Sequence, residues 1–324
     1  MNRTVSIPDS AAAKDIFGPL HRHVALIQDS FRKGESHTVD IRVSGNEVLL
    51  TSDDAQELAR AEGIFATLIR HFGLRKKLRE AEVRAAISFA TPNADGEIEL
   101  RDLPTLGTFT LQTPRQQRYV QAMRSEEKPL VFGVGPAGTG KTFLAVTAAV
   151  EALRNGLVDK IIVTRPAVEA GERLGFLPGA LEEKVDPYLQ PIWDAFRSQM
   201  RDDELKQRRE QNKIEVAPIA FMRGRTLTNA FVIVDEAQNA TIQQMKMVLT
   251  RLGQGSQMVV TGDPSQIDLP NERMSGLDHA LKILGDKRRI EVVRFTAQDV
   301  MRHDLVAEIV EAYDDDERRR RQAT

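Results

Sequence analysis

The 324-residue sequence predicts an α/β protein in which a parallel-sheet core follows a small α+β unit. Three observations carry that expectation. From about residue 130 onward, short β-branched runs (PLVFGVG, KIIVTRP, NAFVIVDE, SQMVVTGD and RIEVVRF) alternate with helix-like segments, as strands buried on both faces do. Upstream, residues 39–50 alternate apolar and polar around a Ser-Gly-Asn turn, which is a hairpin signal. Between these regions, TPNADGEIELRDLPTLGTFTLQTP is rich in Pro, Gly and Asp and reads as a linker.

Taken in order, LHRHVALIQDSF reads as a helix, HTVDIRVSGNEVLLTS as the hairpin and DAQELARAEGIFATLIRHFG as a longer helix. Val39, Ile41 and Val43 share one face of the hairpin, and Val48 and Leu50 resume it after the turn. LRKKLREAEVRAAISFA adds a further helix, so residues 14–90 are assigned to the small domain. Residues 91–110 are the linker, 111–313 the α/β core, and 314–324, DDDERRRRQAT, a solvated tail of two opposed charge blocks. No internal repeat is evident.

Composition narrows the function. Lys and Arg number 45 against 47 Asp and Glu, a net charge of -2, so the whole-chain field does not mark a nucleic-acid binder. Residues 1–110 hold 14 basic and 16 acidic side chains and the remainder 31 of each, so any nucleic-acid contact must be local. The absence of cysteine excludes disulfides, thiolate metal sites and a cysteine nucleophile, and suits a reducing compartment. The opening MNRTVSIPDSAAAKDIF lacks an apolar secretory core, and no 18 apolar residues run together; the expectation is a soluble cytoplasmic protein that makes no membrane contact. The six histidines lack ligand spacing; His21 and His23, two apart, cannot share a helix face.

Gly135-Pro136-Ala137-Gly138-Thr139-Gly140-Lys141-Thr142 fits G-x-x-x-x-G-K-[ST] at every fixed position. Glycines let backbone N–H groups converge on phosphate oxygens, and the N-terminus of the following helix adds its positive dipole end. Lys141 would reach the β- and γ-phosphates of ATP, and the Thr142 hydroxyl would ligate Mg²⁺. Leu130–Val134 supply the preceding strand and Phe143–Leu153 the following helix.

In FVIVDEAQN an apolar strand delivers Asp235 and Glu236 at its carboxyl end, where open α/β sheets bind ligands. Asp235 is placed as the Walker B acid of the Mg²⁺ shell and Glu236 as the base for an attacking water. In QMVVTGDPSQID, Gln266 follows Asp263 by three residues. An amide there can contact the γ-phosphate or the water, although an Asp-Pro turn capped by Ser265 explains the same residues.

Together GPAGTGKT, IIVTRPAVEAGERLGFLPG, VDEAQN and TGDPSQID resemble the PhoH family, whose ATPase core is similar to the first motor domain of superfamily I helicases. The resemblance runs from about Leu111 to Tyr313, and TRPAVEAGERLGFLPGALEEKVDPYLQPIWDAF is its most family-specific part. It implies a single RecA-like P-loop NTPase core. It also implies a KH-like N-terminal domain, although that stretch has no evident G-x-x-G loop.

Further residues enter by that resemblance. Gln116, in QTPRQQRYVQAM, matches the glutamine that reads the adenine edge in the helicase relatives; the family's usual Asn-Gln is Arg115-Gln116 in this chain. Thr164 and Arg165 match a segment that contacts nucleic-acid backbone; otherwise Arg165 is a strand-end cation. Gln266 matches the γ-phosphate sensor, and Gln238 belongs to the same VDEAQN motif. Arg273 and Arg302 are candidate arginine fingers, since a planar cation stabilises charge on a transferred phosphoryl group, and surface pairing is the alternative for each. Tyr188, Trp193 and Phe196 could stack bases, or pack a hydrophobic patch or a subunit interface.

After the linker about 210 residues remain, room for one motor domain. A superfamily I helicase closes two around ATP, so the missing arginine would come from a neighbouring subunit of a homo-oligomer, and the resemblance implies a hexameric ring. The leading expectation is an Mg²⁺-dependent ATPase that remodels single-stranded RNA or a ribonucleoprotein, acting by family resemblance with an rRNA-processing endoribonuclease. An ATP-dependent switch acting on a protein partner is the alternative. A small-molecule kinase is a third, disfavoured by Glu236 and by the lack of an arginine-rich lid.

Overall fold

A computed structural model describes residues 1–34, 36–90, 102–166, 181–269, 275–301 and Ile309, the side chains of 181–188 apart. The chain divides into two compact units, Met1–Gln117 and Arg118–Thr324.

The first unit runs β1 (Asn2–Ser6), α1 (Ser10–Phe17), α2 (Arg22–Asp29), a short ladder of β2 (Arg32–Lys33) and β3 (Ser36–His37), β4 (Asp40–Ser44), β5 (Glu47–Thr51), α3 (Ala55–Arg75) and α4 (Glu80–Phe89). Its three-stranded antiparallel sheet has the order β1-β5-β4, and the expected hairpin pairs Val43 with Val48 and Ile41 with Leu50. Val48 and Leu50 are fully buried while Leu49 between them is exposed, as the two-residue period requires. Asp54 caps α3, its carboxylate accepting from the backbone N–H groups of Gln56 and Glu57. Ile16, Ile27, Leu58, Ile64, Phe65 and Leu68 form the core.

Two elements precede the first one expected from sequence. In β1, Asn-Arg-Thr-Val-Ser carries one apolar residue, and its order comes from pairing along the whole length of β5. Helix α1 is set by Asp9, whose carboxylate accepts from Ala12 N–H at 2.7 Å. In the stretch read as linker, residues 91–101 lie outside the described residues; beyond them β6 (Thr105–Leu106) and β7 (Phe109–Thr110) pair as a small hairpin, with Leu103 and Leu106 buried. Helix α5 (Pro114–Met123) leads into the second unit.

The second unit contains β8 (Leu130–Val134), α6 (Lys141–Arg154), β9 (Lys160–Arg165), α7 (Leu181–Arg197), α8 (Asp202–Glu210), β10 (Ile214–Pro218), β11 (Ala230–Val234), α9 (Ile242–Leu249), β12 (Gln257–Gly262), α10 (Gly276–Leu284) and β13 (Ile290–Arg294). The six described strands form one all-parallel sheet in the order β10-β9-β11-β12-β8-β13. This is the single P-loop α/β core expected, and every residue of β8 and β11 is buried. Strand β10 is an addition: Ile-Glu-Val-Ala-Pro carries an acidic residue and ends in proline, both tolerable because it lies at the sheet edge.

The strand order positions the site. β12 lies between β8 and β11, so the segments following all three emerge side by side at the carboxyl edge of the sheet. Helix α5 closes over β8 through Tyr119, whose fully buried ring occupies the space left by Gly133; a Cβ there would stand 2.7 Å from it. Burial pushes the Tyr119 phenol well above its usual range, and Asp235 adds to the shift.

Trp193 and Phe196 are buried within this unit, their ring centroids 6.0 Å apart, and the Arg209 guanidinium lies 4.3 Å from the indole centroid. Packing is therefore their role, and neither offers a face to a base.

Candidate active site

The expected phosphate loop joins β8 to α6. Gly135, Gly138 and Gly140 have φ of +139°, +81° and +83°, conformations that side chains rarely adopt. At Gly135 the demand is also steric, since a Cβ would lie 2.4 Å from the Phe295 carbonyl oxygen. The Gly135 N–H donates to the Gly262 carbonyl at 3.1 Å, and the Gly138 carbonyl accepts from Met301 N–H at 2.9 Å. The buried Thr139 hydroxyl donates to the Pro136 carbonyl at 3.0 Å and closes the turn internally.

Lys141 opens α6 and curls back over the loop. Its ammonium donates to the carbonyls of Gly135 at 2.6 Å and Pro136 at 2.7 Å. Burial lowers its pKa from the usual lysine value, and the carboxylates of Asp263, Glu236 and Asp235 offset part of that shift. Thr142, the next residue, donates its hydroxyl to Asp235 Oδ1 at 2.6 Å, joining the phosphate loop to the end of β11.

The carboxylates are held by a network of side chains. Asp235 Oδ1 accepts a second hydroxyl, from Thr261 at 2.7 Å, and the Asp235 backbone N–H donates to the Thr164 carbonyl at 2.9 Å. Glu236 has φ of +50°, an uncommon conformation for a residue with a side chain, and one that the surroundings must enforce. Its Oε2 accepts from Gln238 Nε2 at 2.6 Å, while Gln238 Oε1 accepts from Asp263 N–H at 3.1 Å. Gly262 keeps this path open, because a Cβ there would stand 2.8 Å from Gln238 Oε1.

Asp263 in turn orders the loop after β12. Its Oδ1 accepts from the Ser265 N–H at 3.0 Å and hydroxyl at 2.7 Å, and its Oδ2 from Gln266 Nε2 at 2.9 Å. The Asp turn capped by Ser265 and the placement of Gln266 in the cleft therefore coexist. Farther along, Asn239 Oδ1 accepts from Asp268 N–H at 2.8 Å.

These elements enclose a cleft of about 270 Å³ lined by Ala137, Gly138, Gly140, Lys141, Thr142, Phe143, Asp235, Glu236, Gly262, Asp263 and Gln266. The residues present fit a nucleoside triphosphate with Mg²⁺: a backbone cradle, an ammonium, and a hydroxyl beside a carboxylate. Among the described residues no group of His, Cys, Asp or Glu makes a metal cage. Thr142 and Asp235 could hold only part of a Mg²⁺ shell, in keeping with an ion that takes its remaining ligands from phosphates and water.

Two cleft-side residues were given other or lesser roles by the sequence. Arg165, at the end of β9, places its guanidinium 3.9 Å from Asp235 Oδ2 and 3.6 Å from Glu236 Oε1. Gln238 was read only as a motif member; its bridging role depends on the β11–β12 pairing, which no local pattern displays. Gln116, in the first unit, is buried, and its Oε1 accepts from Gln112 N–H at 2.8 Å while Thr113 Oγ1 accepts from Gln116 N–H at 3.2 Å. Thr113-Pro-Arg-Gln116 thus works as a helix start, a signal present in the sequence. Arg273 and Arg302 lie outside the described residues.

Comparison with known proteins follows the same lines. A family model described as PhoH-like protein matches residues 108–314. The chain is 44% identical over 321 residues to a PhoH-like protein of Bacillus subtilis (strain 168), covering 97% of each. It is 47% identical over 281 residues to a PhoH-like protein of Mycobacterium tuberculosis (strain ATCC 25618 / H37Rv), covering 85% of this chain and 79% of the relative. Protein PhoH of Escherichia coli (strain K12) is 40% identical over 240 residues, 74% of this chain and 67% of that one. Among solved structures, the Sulfolobus solfataricus SWI2/SNF2 ATPase core domain aligns over 64% of this chain and 47% of its own, at 15% identity and a TM-score of 0.33, a likeness too low to decide anything. With a family model over more than half its length and a relative 44% identical over 97% of both chains, the chain belongs to the PhoH-like protein family.

Proposed function

We propose that the chain is an Mg²⁺-dependent ATPase that couples hydrolysis to the remodelling of RNA or a ribonucleoprotein. The observation that carries the ATPase reading is the contact between Thr142 and Asp235 at 2.6 Å, with Glu236 on the same cleft wall. That contact supports the reading because the two residues proposed to hold Mg²⁺ lie next to the one proposed as the base for water attack.

In this reading the N–H groups of the phosphate loop and Lys141 bind the phosphate chain, Lys141 exchanging the Gly135 and Pro136 carbonyls for β- and γ-oxygens. Mg²⁺, when bound, neutralises charge on the phosphates. Glu236 accepts a proton from water as its oxygen bonds to the γ-phosphorus and the bond to the β–γ bridging oxygen breaks, leaving ADP and inorganic phosphate. Gln266 orients that water, and Gln116 contacts the adenine.

The remaining cation, an arginine for the developing charge, is supplied by a neighbouring subunit of a hexameric ring, with Arg273 and Arg302 the candidates. Single-stranded RNA and an rRNA-processing endoribonuclease are the proposed partners. The near-balanced charge of both halves supports a second reading, in which nucleotide state governs a protein partner and RNA is incidental.

Phosphate release by purified protein with and without single-stranded RNA separates the two. Stimulation by RNA, with strand separation, supports the motor; hydrolysis indifferent to RNA but raised by a protein partner supports the switch. Full activity in a species that sediments as a monomer overturns the ring.

A further inference from the structure

The carboxylate pair already has a cation beside it. In the β9–β11 register Thr164 lies opposite Val234, and Asp235 N–H bonds to the Thr164 carbonyl, so the next residue, Arg165, comes level with Asp235 and Glu236. Its side chain is 22% exposed, and it meets one oxygen of each acid: Oδ2 of Asp235 at 3.9 Å and Oε1 of Glu236 at 3.6 Å.

The other oxygens are committed elsewhere. Asp235 Oδ1 accepts two hydroxyls, from Thr142 and Thr261, and Glu236 Oε2 accepts the Gln238 amide. The oxygens left facing the guanidinium are those a divalent cation or a reacting water would need. Both distances exceed a direct hydrogen bond, so the guanidinium balances charge at the site without being locked to either acid.

We propose that Arg165 is a second resident cation of this site beside Lys141, offsetting part of the charge of Asp235 and Glu236 before nucleotide arrives and competing with Mg²⁺ for Asp235. When Mg²⁺ enters with the nucleotide, Arg165 gives up Asp235 and keeps Glu236, making it a positioning residue for the base. The arrangement also discourages metal from settling on the carboxylates without nucleotide, because an ion entering alone must displace a charge already in place.

This inference rests on the nucleotide reading of the cleft, and binding measurements separate the two. Fluorescence of a methylanthraniloyl-ATP probe is titrated with Mg²⁺ on the full chain, for wild type, Arg165→Gln and Arg165→Lys, with circular dichroism melts to confirm folding. Arg165→Gln should lower the Mg²⁺ half-saturation about two- to tenfold, while Arg165→Lys, which keeps the charge on a shorter side chain, should lower it by a smaller factor. Mn²⁺ uptake by the nucleotide-free chain, followed by electron paramagnetic resonance, should rise in Arg165→Gln over wild type.

An unchanged or raised Mg²⁺ half-saturation in a folded Arg165→Gln that binds the probe overturns this inference and leaves the nucleotide site standing. Wild type that fails to bind the probe at saturating Mg²⁺ overturns both. Should Arg165→Gln not fold, Arg165→Lys decides the matter: a shorter side chain that holds the charge farther from the acids should shift the half-saturation in the same direction by a smaller factor, and no shift overturns the proposal.

Discussion

The two walls of the cleft are built by different means. The wall after β8 is backbone: glycines at positive φ shape it, and Lys141 is satisfied by the loop's own carbonyls. The wall after β11 and β12 is side chain: Thr261 and Thr142 on Asp235, Gln238 between Glu236 and Asp263, and Gln266 on Asp263. A backbone wall is specified by the absence of side chains and tolerates no additions. A side-chain wall is specified by partners distant in sequence and can be weakened one bond at a time. Damage to the first should therefore weaken or abolish binding, or prevent folding, and damage to the second should spare binding and slow turnover.

The largest effect is expected at Gly135, where a methyl group would meet the Phe295 carbonyl and φ is +139°. Gly135→Ala should cost about 2–4 kcal/mol of stability and abolish nucleotide binding, read by chemical denaturation and probe fluorescence. Lys141→Ala comes next. Losing a charge-assisted contact to phosphate should weaken nucleotide affinity about ten- to a hundredfold while leaving the melting temperature little changed.

The side-chain wall gives smaller and more selective losses. Gln238→Leu cuts the tether between Glu236 and the Asp263 backbone, so turnover should fall about tenfold with nucleotide affinity within about twofold of wild type. An equal loss of affinity would mean that the two walls are not separable. Thr261→Val removes one of two hydroxyls from Asp235 Oδ1 and should cost about 1 kcal/mol, seen as a melt a few degrees lower.

The same difference explains what could be read from the sequence. G-x-x-x-x-G-K-T named the backbone wall because two glycines, a lysine and a threonine at fixed spacing have few other uses. The β-branched runs became strands β8, β9, β11 and β12 because strands buried on both faces leave a continuous apolar signature, and β13, at the sheet edge, kept enough of one in Ile290, Val292 and Val293. Strand β1 left none, having one apolar residue and taking its order from pairing with β5, and the apolar residues of β10 are broken by Glu215 and ended by Pro218. The dual engagement of Arg165 and the bridge through Gln238 were beyond local patterns, as each depends on which strands are neighbours. Trp193 is the converse case, an aromatic in a polar-looking segment that proves to be core under Arg209.

The central claim is that the backbone wall holds the nucleotide and Glu236, on the side-chain wall, activates the water. Single-turnover phosphate release from ATP, compared between wild type and Glu236→Gln at equal assembly state with probe affinity measured alongside, tests it most directly. The account predicts that Glu236→Gln keeps its nucleotide affinity and loses about 10²–10⁴-fold in the rate of release. Release at the wild-type rate, or a loss explained wholly by weaker binding, would contradict it.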